Sequence, residues 1–238
     1  MKTAICFTGT GRSLKYTIDN LKKTLINRYP DCDVFVHLAK TEHTDAALEL
    51  LSFDEVKKIT VEEDEQIDIS GLKWQPNWPA GLHSGSNPKQ TYLNMLLSRK
   101  KCGEMLRTYS TKNGIKYDRV IFSRLDIEFF YDMPGQFDLE CINVPDFHNF
   151  DVVQGNGCND RFAIGNDKNM AKYFNLYDNI RHLTNMGHRL HGESTLHLHL
   201  MMANVEIKRR FIRFTRIRSN GFRQDERLKD PCLQQRDY

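Results

Sequence analysis

The stretch Val120–Phe130, VIFSRLDIEFF, reads as a β-strand. Period-two alternation sets Val120, Phe122, Arg124, Asp126 and Glu128 on one face, and Ile121, Ser123, Leu125, Ile127 and Phe129 on the other. The first face begins apolar and ends with one guanidinium and two carboxylates. Unpaired charge is costly to desolvate, so a buried strand rarely ends this way without a task. Carboxylates two residues apart suit a divalent cation, and a nearby arginine suits phosphate oxygens. The ordinary alternative is a strand that emerges into solvent with an Arg–Asp pair.

Working outward, residues 3–8 (TAICFT) read as a buried first strand, followed by the turn GTGRS at 9–13. Leu14, Ile18, Leu21 and Leu25 then recur at helical spacing. Further strands are expected at 33–38 and 56–61, with a short helix at 46–52 between them. Asn87 and Pro88 read as N-cap and first residue of a long helix reaching about Tyr109. Residues 151–165 read as two short strands, 168–185 as a helix, and Glu193 as lying in the first turn of another. Val205–Ile217 alternates basic and apolar residues like an edge strand. Strand–helix alternation in the first half, with shorter strands later, argues for an α/β sandwich.

Composition is that of an ordinary globular protein: 238 residues, 39% hydrophobic, 27% charged, formal net charge +3. That charge argues neither for nor against a polyanionic partner; with no interleaved exposed aromatics beside it, nucleic acid is not expected. Six cysteines without a CxxC pair fit reduced thiols better than a disulfide framework or zinc site. No signal peptide and no membrane span is read, and the expected location is the cytoplasm.

Further constellations carry candidate chemistry. Glycines in GTGRS permit close backbone approach where a strand enters a helix, and Arg12 adds a fork for a diphosphate. The motif is neither a Walker loop nor GxGxxG, and a plain strand–helix turn is the alternative. Asp160 beside Arg161 is a candidate base or sugar-hydroxyl ligand, or a structural ion pair. Glu193, four residues before His197, is a candidate general base that the helix dipole would hold ionised. His188, His191, His197 and His199 surround it without HExxH spacing. The acidic run Glu62–Glu65 reads as a solvated loop. Residues 205–229 hold nine Lys or Arg against three acids. This is the composition of a charge-protected edge strand or a nucleic-acid surface, and Arg216 and Arg218 are candidates to face phosphates. Trp74 and Trp78 lie in a long Pro/Gly loop, either a sugar-stacking platform or a packing cluster.

Taken in order, the Gly/Arg turn, YDRVIFSRLDIEF, NDRFAIGN and the GES-begun helix resemble the small GT-A-type nucleotide-sugar glycosyltransferases. The nearest likeness is to those encoded by large algal DNA viruses, and it spans about residues 3–222. The resemblance implies a single GT-A-like (Rossmann-like) α/β/α sandwich with a mixed central sheet over 1–222, and a tail over 223–238. It implies a metal-assisted, inverting transfer of a sugar from a nucleotide-diphospho-sugar, expected to be a UDP-sugar, to a glycan or other hydroxyl acceptor. Host cytoplasm is the expected setting if the protein is virus-encoded. Thr8, Gly9, Thr10, Gly11, Arg12, Arg124, Asp126 and Arg218 would hold the donor. Asp126 with Glu128 would hold Mn²⁺ or Mg²⁺, and Glu193 or Asp160 would act as base. Glu128 departs from the family's second Asp, and no late metal-ligating His follows His199. A sulfotransferase using the GTGRS turn for a phosphosulfate donor, and a nucleic-acid-binding module built on the basic strand, are the rival readings.

Overall fold

The computed structural model describes residues 1–76, 78, 87–149 and 157–224. The first half alternates strand and helix: β1 (Thr3–Gly9), α1 (Leu14–Thr24), β2 (Cys32–Ala39), α2 (Thr44–Leu50), β3 (Val56–Glu62), α3 (Pro88–Asn113) and β4 (Arg119–Arg124). The second half has β5 (Ile127–Phe129), β6 (Ile142–Pro145), β7 (Phe162–Gly165), α4 (Asp167–Phe174), α5 (Leu176–Asn185), α6 (Gly192–Met202), β8 (Ile207–Arg210) and β9 (Phe214–Arg216).

Seven of these strands form one mixed sheet in the order β3-β2-β1-β4-β7-β6-β8. The first four are parallel, β7 runs antiparallel to β4 and β6, and β8 is parallel to β6. Alternation along the strands builds two cores, one on each face. Ala4, Cys6, Phe35, Val120 and Phe122 join α3, α4, α5 and α6 on one side. Ile5, Phe7, Val34, Val36 and Ile121 join α1 and α2 on the other. The result is an α/β/α sandwich, compatible with a Rossmann-like fold.

Local signals account for the helix ends. Asn87 accepts from the Lys89 amide with Pro88 following it, and Gly114 closes α3 in the left-handed conformation (φ 64°). Asn166 caps α4 by accepting from the Asn169 amide.

Three expectations are corrected. The strand at 119–130 is two strands: the chain leaves the sheet after Arg124, and β5 pairs with β9 in a separate two-stranded ribbon. Thr8 O accepts from the Leu125 amide and Asp126 O from the Ile217 amide, so the chain swings out where α1 and the ribbon meet. The helix at 168–185 is α4 plus α5, parted at Asn175. The basic segment is likewise split, with β8 at the sheet edge and β9 in the ribbon. Of the two strands expected in 151–165, residues 151–156 lie outside the described residues, as does 225–238 of the expected tail. No described helix is long and apolar enough to cross a membrane.

Candidate active site

Strand order 3-2-1-4 reverses direction between β1 and β4, because α1 leads outward to β2 and α3 returns to the other side of β1. In open α/β sheets the crevice beyond the carboxyl ends of strands at such a reversal is where ligands bind. Here that crevice is a cavity of about 350 Å³. It is lined by Thr8 to Ser13 after β1, Ala39 after β2, Asp64 after β3, and Arg124 to Asp126 after β4. Asn94, Met95 and Ser98 of α3, Asp160 and Arg161 before β7, Gly192 and Glu193 of α6, and Arg216 of β9 complete the wall, with Trp78 and Tyr92.

The turn GTGRS has backbone that its glycines require. Gly11 lies at φ +70°, and a β-carbon there would stand 2.6 Å from that of Ala47. The loop thus presses against α2 while its other side faces the cavity. Arg12 projects from it and is exposed.

Arginine dominates the centre. Arg124 grips Asp126 with two parallel bonds, Nε to Oδ1 at 2.8 Å and Nη2 to Oδ2 at 2.6 Å. Burial pushes the Asp126 carboxyl up, but Arg124, with Arg216 and Arg12 nearby, more than reverses this and holds it below the ordinary aspartate value. Arg218 does not line the cavity. Its guanidinium donates to Gln224, and its pKa is lowered by burial and then by Arg216, Arg12 and Arg124. Positive charge is concentrated here around the Asp126 carboxylate, a setting that suits phosphate oxygens.

At the β7 side lie the two candidate acids. Arg161 Nη1 stands 3.7 Å from Asp160 Oδ1 and 3.4 Å from Glu193 Oε1, so one guanidinium faces both. Asn159 pins the turn by donating to Phe147 O and accepting from the Arg161 amide. Burial raises the Asp160 pKa, yet Arg161, Arg99, Arg124 and Arg216 together bring it below the ordinary value. Glu193 goes the other way, to about 7, through burial first and the Asp160 charge second, with Arg161 opposing. The helix start that was expected to hold Glu193 ionised is outweighed by desolvation beside a second carboxylate. Two carboxylates with separated pKa values are an acid–base arrangement.

Behind them is a feature that no local sequence pattern announced. Arg99 on α3 is 1% exposed, and none of its three guanidinium nitrogens has a hydrogen-bond partner among the described residues. Its guanidinium lies 4.6 Å from the Tyr173 ring centroid and near that hydroxyl, without hydrogen-bond geometry. It acts on Asp160 as uncompensated positive charge.

The metal assignment meets a poor donor set. Both Asp126 oxygens are engaged by Arg124. Glu128 sits on β5 outside the cavity lining, with Arg223 donating to its two oxygens at 2.7 and 2.8 Å. His199 donates to Lys172 O and faces α4, and His188 contacts Thr195. Among the described residues no three His, Cys, Asp or Glu side chains form a metal-holding group. These residues do not fit Mn²⁺ or Mg²⁺.

Part of the basic segment is neutralised within the fold, Lys208 by Asp138, Arg213 by Asp146 and Arg223 by Glu128, while Arg210 donates to the neutral Asn143 amide oxygen. Trp74 stacks on Trp78, and Trp78 packs edge-on to Tyr92, so the tryptophans form a packing cluster of which Trp78 also lines the cavity.

A family model described as a domain of unknown function (DUF7796) matches residues 1–223. No curated protein matches the sequence.

Proposed function

The chain belongs to the DUF7796 family, and from the site it carries we propose a GT-A-like glycosyltransferase that takes a nucleotide-diphospho-sugar donor and a hydroxyl acceptor. One observation carries this reading. An arginine centre (Arg12, Arg124, Arg216) and an acid pair of unequal pKa (Asp160, Glu193) share one cavity at the strand-order reversal. The cavity's volume lies within the range of small-molecule sites.

The chemistry follows from those residues. Glu193 accepts the proton of the acceptor hydroxyl while that oxygen attacks the anomeric carbon. The bond from that carbon to the diphosphate oxygen breaks, and its electron pair leaves on the nucleoside diphosphate. Arg12, Arg124 and Arg216 meet the growing negative charge, as fixed dipoles and charges do best in a preorganised site. Attack opposite the leaving group inverts the anomeric centre. Asp160, ionised, is suited to accept hydrogen bonds from sugar hydroxyls. The five free buried cysteines among the described residues fit a reducing compartment such as the cytoplasm.

A second reading gains from the same geometry. Asp126 and Glu128 are occupied as arginine partners, so a metal-independent sulfotransferase leaves neither without a task. The test is a thermal-shift panel of UDP, GDP, pyrophosphate and adenosine 3′,5′-bisphosphate, each in EDTA and in Mn²⁺. A ligand at a hundred times Kd stabilises by about 2.7 kcal/mol. Stabilisation by a nucleoside diphosphate, equal in EDTA and Mn²⁺, with product of inverted configuration, is the expected result. Stabilisation by the bisphosphate alone moves the assignment to sulfotransferase.

A further inference from the structure

The cavity has a third region, at the opposite end from Asp160 and Glu193. Across the strand ends, β3 and β2 contribute Asp64 and Ala39, β1 and β4 contribute the arginine centre, and β7 and α6 contribute the acids. Four inter-strand steps separate β3 from β7, about 19 Å at the usual spacing. An extended ligand with phosphates at the centre and its reacting sugar at the acid pair therefore directs its remaining part at Asp64 and Ser98.

Ser98 is not free to choose its role there. Its Oγ lies 2.8 Å from His37 Nδ1. The other ring nitrogen, Nε2, faces the Glu62 carboxylate at 3.5 Å, an electrostatic contact longer than a good hydrogen bond. Lys101 anchors that carboxylate in turn. A carboxylate beside Nε2 favours the tautomer with the proton there, which leaves Nδ1 a bare acceptor. Ser98 must then donate to His37, and its oxygen offers only lone pairs to the cavity. Asp64, exposed at the rim, has a carboxylate with no partner among the described residues. Asn94, between them, already exchanges two bonds with the Glu65 backbone, accepting from its amide and donating to its carbonyl. Ser98 and Asp64 therefore both present acceptors at this end.

We infer that Ser98, oriented by His37, and Asp64 determine nucleotide specificity, and that they select a base whose edge presents hydrogen-bond donors, guanine rather than uracil. Guanine offers an N–H and an adjacent amino group, whereas the uracil imide places its single N–H between two carbonyls that a carboxylate repels. This deepens the donor reading above and rests on it. It also moves the donor from the UDP-sugar expected from sequence to a GDP-sugar.

Isothermal titration of the full chain in EDTA with GDP, IDP and UDP tests the inference. GDP is expected to bind at least tenfold more tightly than UDP, with IDP, which lacks the amino group, between them. Ser98→Ala and Asp64→Asn should each reduce the GDP-to-UDP ratio several-fold. His37→Asn, which can return an acceptor near the Nδ1 position, should keep more of the ratio than His37→Leu. UDP binding as tightly as GDP overturns the specificity assignment and leaves the donor reading intact. Failure of all three nucleotides to bind overturns both. The wild-type ratio decides the matter even if a variant fails to fold.

Discussion

Glu193 lies 3.4 Å from the Arg161 guanidinium and nevertheless holds its proton to about pH 7. A single cation at that distance ordinarily lowers a carboxyl pKa. Arg161 is shared with Asp160, and the second carboxylate plus burial outweigh it. The Asp160–Glu193 pair therefore titrates as a unit whose higher step is near neutrality.

Transfer should accordingly rise with pH through about 7 and level off above it, because the base must be ionised. Glu193→Gln should abolish transfer while leaving GDP and UDP affinity in place. Its stability effect has a definite sign. The folded pKa is above the ordinary glutamate value, so the unfolded chain binds fewer protons between about 4.5 and 7, and wild-type stability falls across that window. Glu193→Gln removes that loss and should raise Tm at pH 8, by up to about 3 kcal/mol in stability, with little change at pH 4.5. Melting curves at the two pH values check it, and an equal effect at both refutes the assignment.

Removing the unpaired cation gives an independent handle on the same pair. Arg99→Met keeps an apolar, flexible side chain of adequate size, but it removes a charge that helps hold buried Asp160 ionised, so the protein should fold with reduced stability. Without Arg99 the Asp160 carboxylate ionises less readily, and the lower limb of the pH profile, which follows Asp160, should move to higher pH. A profile that stays in place with reduced amplitude indicates a purely structural arginine.

Asp126 and Glu128 should behave differently despite their two-residue spacing. Asp126→Asn deletes a bidentate pair at the cavity wall, lowering stability by about 2 kcal/mol and weakening nucleotide binding as Arg124 loses its position. Glu128→Gln changes an ion pair in which Arg223 is half exposed, worth under about 1 kcal/mol, and nucleotide binding should be unchanged. Calorimetry in Mn²⁺ and in EDTA compares them. Equal, metal-dependent losses in both variants would restore the cation site.

Gly11→Ala brings a β-carbon within 2.6 Å of that of Ala47, at a positive φ that alanine resists. Loss of about 1–3 kcal/mol is expected, together with weaker binding of pyrophosphate, because the loop that carries Arg12 must shift. Denaturant melts and pyrophosphate titration measure the two effects separately.

How far the sequence foretold this site depends on how local each signal was. Alternation in VIFSRLDIEFF sorted Val120 and Phe122 from Ile121, Leu125, Ile127 and Phe129 correctly, since each set joins a different core. It also put Arg124 and Asp126 together. What alternation could not reveal is the exit from the sheet after Arg124, which depends on β9, far along the chain, and which carries Glu128 to Arg223. Asp160 and Glu193 were legible as single residues beside a turn and a helix start. Their opposed pKa shifts arise from mutual proximity and shared burial, which no local pattern encodes. Asp64 was hidden in an acidic run that looked solvated, and the run's other members do pair with lysines. Ser98 and His37 come from α3 and β2, and only the packing of that helix on the sheet joins them.

The β5–β9 ribbon has a consequence for biosynthesis. Arg12 is translated long before Arg216, yet both line one cavity. Every strand of the parallel half can pair before the ribosome has made β9. A nascent chain therefore passes through a stage with its parallel strands available and an incomplete arginine centre. β9 thus acts as a timing device: the cavity gains its last arginine only after every strand of the parallel half has been made.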